Sequence, residues 1–386
     1  MSDWQRVRIG DIAQIPQKQP IANPQAIELL RVRLYANGVE RTGKFPRTTE
    51  RGRPYFARSA GELLIGRQSF HNGGIGIVKE ADNGLICSNA ITSLVPNSRA
   101  DRDYLFYILA SPEFRKEIEK QIEGTAQAEI SERKILSLEL NLPPLSEQKR
   151  IARILSELSK LSDSLNNKIE KISNLFACLL DEQFTPASPD KRVSLESISE
   201  FITYGLTVRP RYIATGIPMV SAGECRDGFI DFAKAKKISQ SDFSKVRSKT
   251  IPTKGDLLIT KTGTLGRVAV VPEGVPSFTI TQNVALVRPK ESDVLPKYLA
   301  YYIMSPACQR EIRDKTSVLA IPDLQLGILG NFSIPVPCID KQNSVYLRFD
   351  SIRNTIRVLQ KQVDQIDQLR NTLASDLLSG RKRVSV

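Results

Sequence analysis

The run Leu142-Pro143-Pro144-Leu145-Ser146-Glu147-Gln148-Lys149-Arg150-Ile151-Ala152 separates two kinds of sequence. Before it, short apolar runs alternate with Gly, Asn and Pro, a strand-and-turn pattern. After it, Ser146 to Gln183 contains neither proline nor glycine, and apolar residues recur at helical spacing. The prolines block a helix upstream, and Ser146 is placed as the N-cap of a long helix. A second proline- and glycine-free run, Asp340 to Leu378, ends before Gly380 and predicts a second long helix.

Each helix carries a seven-residue apolar series: Ile151, Leu158, Leu165, Ile172 and Leu179 in the first, and Val345, Ile352, Leu359, Ile366 and Leu373 in the second. Apolar neighbours three or four residues away (Ile154, Leu161, Leu175; Ile356, Val363, Leu369) complete a coiled-coil seam. At 1.5 Å per residue such a helix is roughly 57 Å long, more than one small domain covers. The expectation is therefore two antiparallel rods paired with each other.

The strand-rich parts repeat. A shift of 194 residues carries Asp103-Tyr104-Leu105 through Ser111-Pro112 onto Lys297-Tyr298-Leu299 through Ser305-Pro306, Gly61-Glu62-Leu63-Leu64-Ile65 onto Gly255-Asp256-Leu257-Leu258-Ile259, and Gln148 onto Gln342. Nearer the start the shift is smaller: Val7, Ile9 and Ile12 match Val193, Leu195 and Ile198, and a turn at Asn37-Gly38 matches one at Asp227-Gly228. Strands are predicted over Glu62 to Ile65, Ile75 to Val78 and Ile91 to Val95, and again over Asp256 to Thr260, Arg267 to Val271 and Asn283 to Val287. A helix from Tyr104 to about Glu123, or from Tyr298 to about Lys315, and a last strand ending in prolines complete each unit. The fold class is α+β: two pseudo-symmetric mixed α/β domains separated by two long antiparallel coiled-coil helices. Its boundaries are 1–145, 146–184, 185–339 and 340–386.

Composition narrows the function. Lys and Arg number 55 against 42 Asp and Glu, a net charge of +13, which favours a polyanionic partner, most often nucleic acid. Five scattered cysteines, Cys87, Cys178, Cys225, Cys308 and Cys338, fit reduced, ordinary buried thiols rather than a disulfide framework. No stretch reads as a signal peptide or membrane span, so a cytoplasmic chain without membrane contact is expected. With His71 the only histidine, neither a histidine metal cluster nor a Ser-His-Asp triad is expected, and no close cysteine pair suits zinc. Gly38 to Lys44 has phosphate-loop spacing, but Phe45 stands where Ser or Thr must reach magnesium. The amino-methyltransferase tetrapeptide, Asn or Asp followed by Pro-Pro-aromatic, is not found.

Two basic segments follow the matched turns: Arg41, Lys44, Arg47, Arg51, Arg53 and Arg58 in the first unit, and Lys234, Lys236, Lys237, Lys245, Arg247 and Lys249 in the second. A charge run is often only a solvated loop, but recurrence in both units favours DNA contact, with lysine and arginine on phosphates and arginine on guanine. A second matched pair comprises the loops Gly66 to Gly73, with Arg67, Gln68 and Asn72, and Lys261 to Arg267, with Lys261, Thr262, Thr264 and Arg267. These can be base-reading loops or plain turns between strands.

With these residues in place, the sequence resembles the specificity subunits of type I restriction-modification enzymes. The run Leu142 to Ala152 is very like that family's central motif at a helix start. Gly61 to Ile65 and Gly255 to Gly266 look like the strand-and-loop motif of its target-recognition domains. The second proline motif departs from the pattern, with Pro337-Cys338-Ile339-Asp340-Lys341-Gln342 where Pro-Pro-Leu-x-Glu-Gln is usual, and this leaves the docking of the second helix open. The resemblance implies a non-catalytic reader of double-stranded DNA, each domain reading half of a bipartite site and the helices setting the gap. It implies two modification subunits and restriction subunits as partners, with S-adenosylmethionine, ATP and magnesium on those partners and no cofactor here. A coiled-coil scaffold with basic domains, or a self-contained methyltransferase or nuclease with unrecognised motifs, are the alternatives.

Overall fold

A computed structural model describes residues 4–46, 54–122, 129–185, 190–208, 210–226, 228–316 and 322–384. Arg47, Arg51, Arg53, Glu123 and Asp227 lie outside the described residues. The chain forms two compact units, one of residues 1–166 and 361–386, the other of residues 167–360.

In the first unit, β1 (Gln5–Arg8) pairs antiparallel with β6 (Glu139–Leu142). β2 (Ala13–Gln14), β3 (Leu63–Gly66), β4 (Ile75–Ile77) and β5 (Ile91–Pro96) form an antiparallel sheet of order β2-β5-β3-β4. Helices α1 (Arg102–Ala110), α2 (Pro112–Ile122) and α3 (Glu132–Ser137) follow, and then α4 (Leu145–Gln183). The second unit repeats this with β7 (Arg192–Ser194), β8 (Ser199–Tyr204), β9 (Leu257–Thr260), β10 (Val268–Val270), β11 (Val284–Pro289) and β12 (Ser333–Pro335). Its sheet order, β8-β11-β9-β10, and its β7–β12 pair match those of the first unit. Helices α5 (Pro296–Met304), α6 (Pro306–Lys315) and α7 (Leu326–Gly330) lead to α8 (Ile339–Leu378).

The predicted Tyr-Leu helix is two helices in each unit. Ser111 and Ser305 leave helical geometry, and each hydroxyl accepts the amide three residues on, from Phe114 and Cys308. Each serine thus starts a new helix, and the proline after it tolerates the first helical position because it needs no amide partner there. Ser146 is not an N-cap: α4 begins at Leu145 and the Pro144 carbonyl accepts the first helical bond, from Gln148. Gly380, in the left-handed region with φ +74°, does end α8.

Buried Tyr104 and Tyr298 occupy matching places, each phenol donating to a carbonyl of the last strand, Asn141 or Pro335. The helix starts match more closely still. Gln148 Oε1 accepts from the Asp101 amide at 2.7 Å, and its Nε2 donates to the Arg99 and Pro143 carbonyls at 3.0 and 2.9 Å. Gln342 does the same with Leu295 at 2.8 Å and with Asp293 and Pro337 at 3.0 and 2.9 Å. Every partner is displaced by the same 194 residues. The atypical second proline motif therefore docks its helix as the first does, because the buried glutamine rather than the second proline makes the contacts.

In the first unit the start of α4 packs on the end of α8, with Ile151, Ala152 and Leu155 in one core with Leu377 and Leu378. Ser162 donates to Asp367 at 3.1 Å. In the second unit the end of α4 packs on the start of α8, with Leu180 and Phe184 beside Val345 and Phe349. The helices thus run antiparallel in both. All ten members of the two seven-residue series are buried or half-buried. Of their expected companions, Leu161, Leu175 and Leu369 are exposed, as are Leu347 and Val358; the inward stripe is narrower than the apolar content suggests. Cys87, Cys225 and Cys308 are buried thiols, but Cys178 and Cys338 are exposed, contrary to expectation.

Candidate nucleic-acid interface

The antiparallel register gathers three chain segments at one end of each sheet: the exit of the first strand, the entry of the last, and the turn between the middle pair. In the first unit this end bears a cleft of about 750 Å³. Its lining includes Lys18, Phe56, Arg67, Asn89, Glu132 and Arg133. In the second unit the same end bears a cleft of about 390 Å³, lined by Tyr204, Thr207, Lys261, Thr262, Gln282, Asn283 and Asp323.

A cation sits at the matched strand end in both. Arg67 pairs with Glu129 at 2.8 Å, and Lys261 with Asp323 at 2.7 Å. The same 194-residue shift relates the two cations, the two acids, and the cleft asparagines Asn89 and Asn283. Main-chain bonds repeat too, since Ile130 N donates to the Arg67 carbonyl and Leu324 N to the Lys261 carbonyl. Thr262 Oγ1 also donates to Asp323, at 2.6 Å. Burial would raise the Asp323 carboxyl, but hydrogen bonds from Lys261 and Thr262 outweigh it and hold it below the usual range. Lys261 also lies 6.0 Å from the Tyr204 ring centre. A cation held between a carboxylate and a ring keeps its donors in a fixed direction, as selective contact with a base edge requires.

In each unit a turn docks near the middle pair of strands, on their loop in the first unit and on the start of β10 in the second. In the first unit the Tyr35 and Ala36 amides donate to the Asn72 and Gly73 carbonyls, each at 2.8 Å. Both residues have positive φ, 57° and 56°, a conformation unfavourable for side chains beyond glycine and held here by the docked turn. Tyr35 is 66% exposed. Asn72 and Gln68 are exposed beside it, Asn72 within 2.8 Å of His71 and Gln68 near Glu129. In the second unit Gly228, with φ +83°, donates its amide to the Val268 carbonyl at 2.7 Å. Thr264 is exposed, while Arg267 is half-buried with its amide on Thr260.

The basic segments divide. Arg41 is tied to Asp82 and the Ala81 carbonyl, and that hydrogen bond raises its already high pKa. Arg58, expected with the surface cations, is 4% exposed and donates to Ser93 and the Ile91 carbonyl; its burial is tolerated because polar acceptors meet it there. Lys44, Lys236, Lys245, Arg247 and Lys249 are exposed, and Lys237 is half-buried. Lys234 and Lys245 make only surface pairs, with Asp231 and Asp242, and Lys236 lies over the Tyr212 ring. Glu129, Asp323, Asn89, Asn283, Tyr35 and Tyr204 were not anticipated. The repeat register pairs the first four and could have found them; no sequence signal marks the two tyrosines. Among the described residues no group of His, Cys, Asp and Glu could hold a metal ion, and no helix is long and apolar enough to cross a membrane.

Fold and site together define a chain with two related units, each with a polar cleft and exposed cations and each packed on segments of two long helices. Comparison with known proteins agrees. The family model described as the type I restriction modification DNA specificity domain matches residues 1–174 and 213–368, and the chain belongs to that family. It is similar to the EcoBI specificity subunit of Escherichia coli, 26% identical over 71% of this chain and 64% of that relative. The chain thus spans just under two thirds of that subunit's length. It is similar also to the MjaVIII specificity subunit of Methanocaldococcus jannaschii, 23% identical over 99% of this chain and 93% of that one. The solved S subunit of a type I restriction-modification system from M. genitalium shares the fold, with a TM-score of 0.61 at 15% identity over 98% and 96% of the two chains.

Proposed function

We propose that this chain is the DNA-sequence-recognition subunit of a type I restriction-modification enzyme, each unit reading one half of a bipartite site in double-stranded DNA. The observation that carries this reading is the recurrence, at one register, of a cleft with a pinned cation and an asparagine. Duplex DNA has local twofold symmetry between its strands, so two related readers suit it. Exposed lysines and arginines supply sequence-independent phosphate attraction, while the pinned Arg67 and Lys261 and the amides of Asn89, Gln282 and Asn283 supply selective donors.

Chemistry then belongs to partners. Two modification subunits would bring S-adenosylmethionine, and restriction subunits ATP and magnesium; this chain is a non-catalytic cytoplasmic component without a cofactor of its own. Exposed Leu161 and Leu175 on α4 and Leu347, Val358 and Leu369 on α8 offer those partners apolar helix surface. Continuous helices of 39 and 40 residues suit the role of setting the unspecified gap.

The test is a segment exchange. Replacing residues 204–289 with those of a relative, in cells that also make the modification subunit, is expected to change one half of the methylated motif and leave the other. Methylome sequencing reads the outcome. Both halves changing together, or methylation by the purified chain alone, would overturn the proposal.

A further inference from the structure

The ends of the chain meet the helix starts through two ion pairs of opposite polarity. In the first unit Glu147, in the first turn of α4, accepts from Arg383, beyond the end of α8, in a bidentate pair at 2.7 and 2.8 Å. Trp4 Nε1 adds a third bond to Glu147 at 3.2 Å, and the Arg383 guanidinium lies 5.7 Å from the Trp4 ring centre. In the second unit the matching residue of α8, Lys341, donates to both oxygens of Asp190, beyond the end of α4, at 2.7 and 3.0 Å. The repeat register places Lys341 on Glu147.

In both pairs the carboxylate is the buried partner and the cation the more exposed one. Side-chain exposure is 1% for Glu147 against 40% for Arg383, and 13% for Asp190 against 45% for Lys341. Yet the acid stands on the helix in the first unit and on the following segment in the second. We infer that this inversion makes pairing between the two halves selective: each helix start accepts the segment following the other helix and rejects the segment following its own kind in a second copy of the chain.

The reason is electrostatic. The halves share register, sheet order and helix-docking contacts, so those contacts by themselves do not discriminate between α4 with α8 and α4 with the α4 of another molecule. In the α4–α4 alternative Glu147 of one copy meets Asp190 of the other, two carboxylates that both require cover. In the α8–α8 alternative Lys341 meets Arg383. Two carboxylates brought together at the covered Glu147 and Asp190 positions are costly, and the more exposed Lys341 and Arg383 repel more weakly, whereas both pairings within one chain are attractive. The inversion therefore favours helix pairing within one chain over pairing between chains.

Inverting one pair removes the discrimination without removing either attraction. The variant Lys341→Glu/Asp190→Lys makes both pairs acid-on-helix, so α4–α4 and α8–α8 contacts also become attractive. Full-length chains are unfolded, refolded at micromolar concentration and examined by analytical ultracentrifugation. Expected is at least about a tenfold tightening of chain dimerisation over the parent. Adding Glu147→Lys/Arg383→Glu, which inverts the second pair as well, is expected to restore the parental balance. Equal dimerisation of parent and single-inversion chain, or equal dimerisation of the two inverted chains, would overturn the inference. Should the inverted chains not refold, Glu147→Gln/Lys341→Gln removes the repulsion with little change of shape. It is expected to raise dimerisation severalfold, and no rise would equally overturn the inference.

Discussion

Substituting Gln342 by leucine tests whether one buried amide docks the second unit onto its helix. Leucine fills nearly the same space but leaves the Leu295 amide and the Asp293 and Pro337 carbonyls without their side-chain partner. A buried polar group left unsatisfied costs about 1 to 3 kcal/mol. Partial access of water to this shell brings the expected sum to about 3 kcal/mol, roughly a hundredfold in local opening. Hydrogen exchange read by mass spectrometry on the full chain is the direct assay, with the Leu295 amide as reporter. Exchange over residues 293–295 and 337–342 is expected to accelerate by about that factor. Residues 99–101 and 143–148, around the untouched Gln148, are expected to keep parental rates. Gln342→Glu should fail to rescue, because a carboxylate can accept from Leu295 but repels the two carbonyls. An acceleration below about threefold, or an equal one around Gln148, would refute the claim that the glutamine docks its own unit.

Three further outcomes follow from the sites described. Asp323→Asn weakens the hold on Lys261 and Thr262, and is expected to relax the second half of the methylated motif by about tenfold in selectivity while sparing the first; methylome sequencing measures both halves. Alanine at exposed Lys236, Lys245 or Arg247 is expected to weaken DNA binding of the assembled complex for all sequences alike, each lowering the slope of log affinity against log salt by about 0.9 where it meets a phosphate; a changed motif would contradict this. Burial would raise the Glu62 carboxyl, but hydrogen bonds from Lys18 and Ser93 outweigh it and set it below the usual range. Its contribution to stability is therefore complete above its unfolded pKa, about 4.3, and is lost as pH falls through the lower folded value. Glu62→Gln should lower the melting temperature at neutral pH and approach the parent in acid, and a pH-independent difference would contradict the assignment.

The long helices were legible because the absence of proline and glycine over nearly forty residues leaves few other structures. The repeat was legible because a buried glutamine, a buried tyrosine and a glycine before a strand have few substitutes in their roles. Other features depend on contacts that no local pattern encodes. Arg58 reads as one more surface cation until Ser93 and the Ile91 carbonyl are seen to receive it. Glu129 and Asp323 lie more than sixty residues from the cations they hold, and only the fold brings them together. The helix breaks at Ser111 and Ser305 are not legible in the sequence because Ser-Pro suits both an end and a new start.

The drift of the repeat register separates what both units share from what each keeps for itself. From Gly61 to Gln148 the offset is a constant 194 residues, covering the central strands, the helices and the helix start. It falls to 190 at the hairpin glycines Gly38 and Gly228, and to 186 at Val7 and Val193. All the length differences thus fall in the front of the unit, where the hairpins, the basic segments and the strained Tyr35 turn lie. Docking is less tolerant, because one extra residue in the first turn of α8, between Ile339 and Gln342, would rotate the glutamine off its backbone partners by about 100° of helix. A surface hairpin absorbs four residues at little entropic cost. The constant part therefore fixes the docking of each unit on its helix, and the variable part is free to differ between the units.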